Sequence, residues 1–266
     1  TATLQNTTTI TGNGTVQVKS LDAAGKNITA ADATIDLTGA TIYNDSALTG
    51  LSSVKDDTAT VDAARVAKLL GYSDKVAVKE VMGNVTLTAA KTLTASKIDG
   101  NLSLSTAAST VTVSGAVTGD VTLGGQAHNV TVGSVDIANK TISTAANSTL
   151  KITGDVAAPV TLDATMLGTT EFAGTVSATV TMPSSNAALK VTFSGTVNTD
   201  DVQWVAACAD AVVKFTGNNI TLGTNVIYGD NSGSKISNVS DITGATNGFK
   251  YNASADGSSA GWKAEA

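Results

Sequence analysis

Apolar and polar residues alternate along this chain in short runs, and the runs recur at a nearly fixed spacing. Seven tetrapeptides carry a first register: Asn84-Val-Thr-Leu87, Asn101-Leu-Ser-Leu104, Asp120-Val-Thr-Leu123, Asn139-Lys-Thr-Ile142, Pro159-Val-Thr-Leu162, Thr179-Val-Thr-Met182 and Asp201-Val-Gln-Trp204. Their starts step by 17, 19, 19, 20, 20 and 22 residues. A second register follows five of these starts: Val111-Thr-Val113, Val130-Thr-Val132, Leu150-Lys-Ile152, Val191-Thr-Phe193 and Val213-Lys-Phe215. A third pairs a glycine with a valine at Gly115/Val117, Gly133/Val135, Gly154/Val156, Gly174/Val176 and Gly195/Val197, with Gly217/Ile220 as a looser copy.

Alternation with period two is the mark of a strand with one buried face. Three short strands per period of about twenty residues, each followed by a turn, predict an all-β, three-sided β-solenoid in which every period is one coil stacked on the last. Inward Val, Leu and Ile then form ladders, and outward Thr and Ser face water. Corner Gly and Asn are expected to supply positive φ. A strict six-residue period would indicate a left-handed coil; the variable spacing here points to a right-handed one. The alternative is a β-sandwich, which also sets strands at regular intervals.

The flanks read differently. Residues 1–55 hold strands such as Thr15-Val-Gln-Val18 and Ala33-Thr-Ile-Asp-Leu37, expected as irregular coils or a strand donor. Residues 56–80 contain one helical pattern, Val61 to Leu70, with Asp56 and Asp57 at its start, Gly71 as its stop and Ala63, Val66, Leu69 and Leu70 as its apolar face. It precedes the first clear coil and reads as a lid over the open end of the ladder. Residues 81–224 form the solenoid core. Residues 225–266 lose the period and read as a C-terminal cap or docking element, with Phe249, Tyr251 and Trp262 as late aromatics.

Composition narrows the function. Thr, Ser and Gly make up about a third of the chain, charged residues are 14% and aromatics 4%. The net charge of −6 argues against nucleic acid, which needs a basic surface. One Cys and one His exclude a Cys/His zinc site, and no apolar run reaches the length of a membrane span. Sparse Lys and Glu, and a start at Thr1, point to an extracellular or cell-surface product whose signal peptide has been removed.

Stacked coils of about twenty residues in an acidic, Cys-poor, Thr/Ser/Gly/Asn-rich chain resemble bacterial and archaeal surface β-solenoids. Filamentous haemagglutinin-like adhesins, autotransporter passengers and surface-layer or filament subunits are similar in period and composition over residues 84–220. Ala67-Lys-Leu-Leu-Gly-Tyr72 is similar to a surface-layer-homology helix.

Candidate chemistry is thin. Enzymes on solenoids act mostly on polysaccharides, and glycoside hydrolysis needs two carboxylates about 5–9.5 Å apart. Asp120, Asp155, Asp163 and Asp201 fall on different corners, and adjacent Asp200 and Asp201 would point to opposite faces of a strand. No catalytic residue is assigned. Cys208 reads as a buried small hydrophobe, because His128 lies some four coils away; His128 itself reads as a surface residue at a polar corner. Asp200, Asp201 and Asp230 are the candidate calcium ligands, and no other cofactor is expected. Paired threonines at Thr86/Thr88 and Thr92/Thr94 do not repeat on every coil as an ice-binding face requires.

Twelve Asn-X-Ser/Thr sequons occur: Asn6, Asn13, Asn27, Asn44, Asn84, Asn101, Asn129, Asn139, Asn147, Asn219, Asn238 and Asn252. They have two readings, N-glycosylation or a by-product of corner Asn followed by an apolar-Thr strand. The expectation for the whole is a non-enzymatic structural subunit that joins copies of itself into a filament or surface layer. The polar, strand-prone start, with Thr1, Leu4 and Ile10, is the candidate assembly strand. The second reading is an adhesin module presenting loops, such as Gly229 to Ser240, to a receptor or glycan. A polysaccharide-active enzyme is the third.

Overall fold

Side chains two apart on a strand share a face, so Val111 and Val113 can be buried while the alternate Thr110 and Thr112 are exposed. Repeated coil after coil, that choice builds a parallel β-solenoid with a ~19-residue period in this computed structural model. The structure describes residues 2–4, 7–22, 27–44, 48, 50–135, 140–144, 147–163, 168–178, 180–181, 190–199, 212–215, 220–222, 249–252 and 261–264. Of these, 2–4, 44, 135, 140–141, 181 and everything from 198 onward are described by backbone alone.

The solenoid has three sides. On the first, parallel strands run rung by rung through Thr15–Asp22, Thr34–Asp36, Ser53–Asp62, Lys75–Met82, Thr92–Ala95, Thr110–Val117, Asn129–Val135, Thr149–Ile152, Thr169–Phe172, Lys190–Phe193 and Val212–Phe215. The second side follows a bend in the longer strands. Val61 pairs with Val81, Val81 with Ile98, Ile98 with Val117 and Val117 with Val135. It continues through Val156, Val176 and Val197. The third comprises Val85–Leu87, Leu102–Leu104, Val121–Leu123, Lys140–Thr144, Val160–Leu162 and Val180–Thr181. The three sequence registers are these three sides. Every connection within them is parallel, which a β-sandwich of hairpins would not give.

The core is a set of columns along the axis. Ala95, Val113, Val132, Ile152, Phe172 and Phe193 occupy successive positions in one column, all 3% exposed or less. Phe172 and Phe193 stack with ring centroids 5.1 Å apart and planes 12° from parallel, an offset geometry that favours aromatic pairs. Outward columns carry cross-rung ion pairs, such as Lys151 to Glu171 at 2.9 Å.

Several expectations are corrected. The helix spans Ala63–Tyr72, not Val61 to Leu70, and Gly71 lies inside it. Its N-cap is Asp62, whose carboxylate accepts the Arg65 N–H; Asp56 and Asp57 belong to the preceding strand. The helix is no lid. Ser53–Asp62 before it and Lys75–Met82 after it pair directly, so coils lie on both sides. It replaces one third-side strand, burying Val66, Leu69, Leu70 and Tyr72. The segments Thr15–Asp22 and Thr34–Asp36 are themselves rungs.

Gly12, Gly39, Gly50, Gly83, Gly125 and Asn147 adopt the expected positive φ, but Gly133, Gly154, Gly174 and Gly195 do not. A Cβ on Gly133, Gly154, Gly174 or Gly195 would lie within 3.0 Å of a backbone carbonyl one coil earlier. Close stacking, not backbone conformation, requires glycine there. Finally, the coil at Lys140–Thr144 is out of step. Ile142 pairs with Val121 on one side and with Leu162 on the other, a two-residue slip that turns Thr144 inward opposite Leu123.

Candidate functional site

The second side breaks between the strands Thr41–Asn44 and Ser53–Asp62. Thr41–Asn44 pairs with Thr15–Asp22, and among the described residues it has no pairing with Ser53–Asp62. A cleft of about 340 Å³ opens there, lined by Gly39, Ala40, Asp56, Thr58, Thr60, Val61, Asp62 and Arg65. It is the candidate site that geometry offers, and sequence reasoning missed it.

The cleft is built around a buried ion pair. Asp56 takes an inward position opposite Val78 and is 2% exposed. Arg65 reaches from the helix to donate to Asp56 Oδ2 from Nε at 2.9 Å and from Nη2 at 2.8 Å, and Nη2 also donates to the Leu37 carbonyl at 3.2 Å. The Thr58 N–H and hydroxyl donate to Asp56 Oδ1 at 3.1 and 2.5 Å. Both carboxylate oxygens are thus occupied, as a buried charge requires. Asp36 repeats the arrangement one coil earlier. Burial pushes its carboxyl up, but the Thr38 hydroxyl and N–H, together with Lys55 at 3.2 Å, outweigh that and hold it below the ordinary carboxylate value. Asp57 and Asp36 in turn hold the Lys55 ammonium above its ordinary value.

This arrangement pins the helix to the ladder. The Thr58 hydroxyl and the Asp56 carboxylate are in contact, but both Asp56 oxygens are already engaged, Oδ2 by the Arg65 guanidinium. Among the described residues, no group of three or more His, Cys, Asp or Glu could hold a metal ion. The calcium candidates Asp200, Asp201 and Asp230 lie outside the residues whose side chains are described, as does Cys208.

His128 corrects its expectation. It is 1% exposed, not a surface residue. Its Nδ1 accepts the Ser109 N–H at 3.2 Å, and Nε2 lies 2.8 Å from the Gly124 carbonyl. Those partners assign the proton to Nε2. The His128 N–H donates to Ser148 Oγ at 3.2 Å, and Ser148 donates to the Gln126 carbonyl at 2.6 Å. Ser109, His128 and Ser148 form a buried polar column that ties three successive coils at one corner. Every polar atom of the imidazole is engaged in the fold.

The sequons divide by geometry. Asn84 Oδ1 accepts the Asn101 N–H at 2.9 Å, and Asn101 Oδ1 accepts the Asp120 N–H at 2.8 Å. These two build the ladder, as the architectural reading expects. Asn129 sits within the strand Asn129–Val135. Asn13, Asn27 and Asn147 are exposed outside strands, and Asn147 has φ of 64°. Asn44 and Asn252 are described by backbone alone; Asn6, Asn139, Asn219 and Asn238 lie outside the described residues.

The candidate assembly strand is already paired at home. Ala2–Leu4 aligns with Thr15–Asp22, with Leu4 opposite Leu21, and Thr8–Ile10 aligns with Ile28–Ala30. Ile10 packs partly buried against the core; Thr1 and the loop Gly229 to Ser240 lie outside the described residues. At the other end the parallel ladder meets an antiparallel pair, Phe249–Asn252 and Gly261–Ala264, laid on Val212–Phe215. No helix among the described residues is long and apolar enough to cross a membrane.

No protein-family profile, curated protein or solved structure matches this chain; what is established is its architecture, a parallel β-solenoid.

Proposed function

We propose that this chain is an extracellular structural subunit, and that copies join end to end through the sheet edges of their terminal coils. One observation carries the reading. The ladder runs through the whole described chain, and its first strands, Ala2–Leu4 and Thr8–Ile10, are paired on one edge only among the described residues. Unpaired edges recruit strands. The likeness in period and composition to surface solenoids supports the extracellular setting, and exposed sequons at Asn27 and Asn147 fit a surface glycoprotein. Because Ala2–Leu4 and Thr8–Ile10 are paired within their own chain, they offer an edge and not a free strand.

The test uses the direction of one N–H. Thr8 donates its N–H to Asn27 at 2.9 Å, so alternation aims the Thr9 N–H away from Ile28–Ala30. Thr9→Pro removes an outward donor and, within the chain, only the long, exposed bond from the Thr29 hydroxyl to the Thr9 hydroxyl at 3.4 Å. The expected result is loss of assemblies with the β circular dichroism and the melting of the subunit kept. Polymers as long as those of the unmodified protein would overturn the edge-joining reading. A second reading, an adhesin or other binding module, is favoured by the cleft beside Arg65; binding of a glycan or receptor that Ala40→Trp abolishes would support it.

A further inference from the structure

Asn13 is followed by Gly14 in the exposed turn between Thr8–Ile10 and Thr15–Asp22. Among the described residues, no hydrogen bond engages the Asn13 amide or the Gly14 N–H. We propose that Asn13 is a site of spontaneous deamidation and isoaspartate formation, placed where the change acts on the first rungs of the ladder.

The chemistry needs only water. The Gly14 backbone nitrogen attacks the Asn13 side-chain carbonyl carbon and loses its proton to solvent. The carbon–nitrogen bond to the side-chain amide breaks and ammonia leaves, closing a five-membered succinimide. Water then adds to one of the two ring carbonyls and opens the ring. One opening gives aspartate; the other gives isoaspartate, in which the chain runs through the side-chain carbon. Ammonia is lost, water is gained, and nothing is oxidised or reduced. Glycine is the successor that leaves the attacking nitrogen least shielded, because it has no Cβ.

Geometry and successor separate this asparagine from Asn27, Asn84, Asn101 and Asn129. Asn84 and Asn101 have their side-chain oxygens held by the next coil and are followed by Val85 and Leu102. Asn129 lies in a paired strand before Val130, and Asn27 precedes Ile28. β-Branched and γ-branched successors crowd the attack. The product would matter structurally, since the Gly14 carbonyl accepts the Thr34 N–H at 3.0 Å at the start of the pairing between Thr15–Asp22 and Thr34–Asp36. An isoaspartyl link inserts one more backbone carbon just before that bond and adds one negative charge.

The experiment is incubation of the purified full chain at mildly alkaline pH and body temperature, followed by peptide mapping. Mapping resolves Asn13 from Asn247, the other asparagine before a glycine. Asn13 should gain one mass unit as two isomeric products while Asn84 and Asn101 stay unchanged. Gly14→Val should slow the reaction by about tenfold or more. That variant is compatible with the fold, because a Cβ at Gly14 meets nothing within 4 Å and its φ is not left-handed; a melting curve checks this. A synthetic peptide of residues 8–19 serves as the unfolded reference. If the peptide deamidates and Asn13 in the folded chain does not, or if Gly14→Val reacts as fast as the unmodified chain, the proposal is overturned.

Discussion

Gly154→Ala places one methyl group at the corner where coils stack most tightly. Its Cβ would lie within 3.0 Å of the Gly133 carbonyl oxygen and carbon, both backbone atoms that cannot rotate away. Ordinary contact begins at 3.4 Å, so the two coils must part there by about an ångström or more. The neighbouring bond, Thr153 N–H to the Val132 carbonyl at 2.8 Å, lengthens with them. Overpacking of this kind costs about 1–3 kcal/mol, and a weakened hydrogen bond adds up to about 1 kcal/mol. Loss of glycine entropy from the unfolded chain offsets only about 0.4–1 kcal/mol. Sterics win, and the net is a destabilisation of about 1–3 kcal/mol. At about 2–4 °C per kcal/mol for a chain of this size, Tm should fall by roughly 2–12 °C. Because coils contact only their neighbours, hydrogen exchange should show the loss concentrated in coils next to Gly154. Gly71→Ala is the internal control. That glycine is in the helix, its Cβ position is open, and alanine there should gain about 0.5–1 kcal/mol. Thermal melting by circular dichroism reads both. If Gly154→Ala melts at or above the unmodified protein, close stacking is not what requires glycine.

Three further outcomes follow from the same structure. Thr170→Val should raise stability by about 1–2 kcal/mol in urea unfolding, because the fully buried Thr170 hydroxyl has no hydrogen-bond partner among the described residues and Val keeps the shape; a destabilised variant would mean the hydroxyl is bonded. Asp56→Ala should cost about 3 kcal/mol, the low end for breaking a buried pair, since Arg65 is partly exposed; proteolysis should then cut first near the helix. Burial pushes the Glu171 carboxyl up, but the Ser194 hydroxyl and the Lys151 ammonium outweigh that and hold it below its ordinary value of 4.5. A depressed folded value means this contribution is present above about pH 4.5 and fades as pH falls through the lower folded value. Glu171→Gln should therefore melt lower than the unmodified chain at neutral pH, with the gap closing in acid; a gap independent of pH would contradict the assignment.

How much of this was legible depends on where the information sits. The inward columns of residues 84–197 could be read because Val, Leu and Ile alternate with Thr at the coil period. The first rungs were harder, although Thr15-Val16, Thr34-Ile35 and Ser53-Val54 repeat at nineteen residues. Asp56 disguised them, standing at an inward position made tolerable by an arginine nine residues on. The slip at Lys140–Thr144 was invisible because Thr appears on both faces of the sheet, so the inward Thr144 and the outward Thr122 look alike in sequence. His128 was misplaced, and the burial of Ser148 gave no signal, for a similar reason. Their burial depends on carbonyls and N–H groups of neighbouring coils, which no local pattern announces. The stacked Phe172 and Phe193 could have been found, since both fall at the same place in the period. The cleft could not, because it arises from a missing strand pairing.

Electron microscopy of the purified protein at rising ionic strength, with light-scattering mass on the same samples, tests the central claim most directly. A subunit of net charge −6 repels its copies less as salt screens it. The account predicts filaments or sheets that lengthen with salt and whose thin dimension matches one solenoid. A 26.4 kDa monomer at high concentration and every salt tested would contradict it.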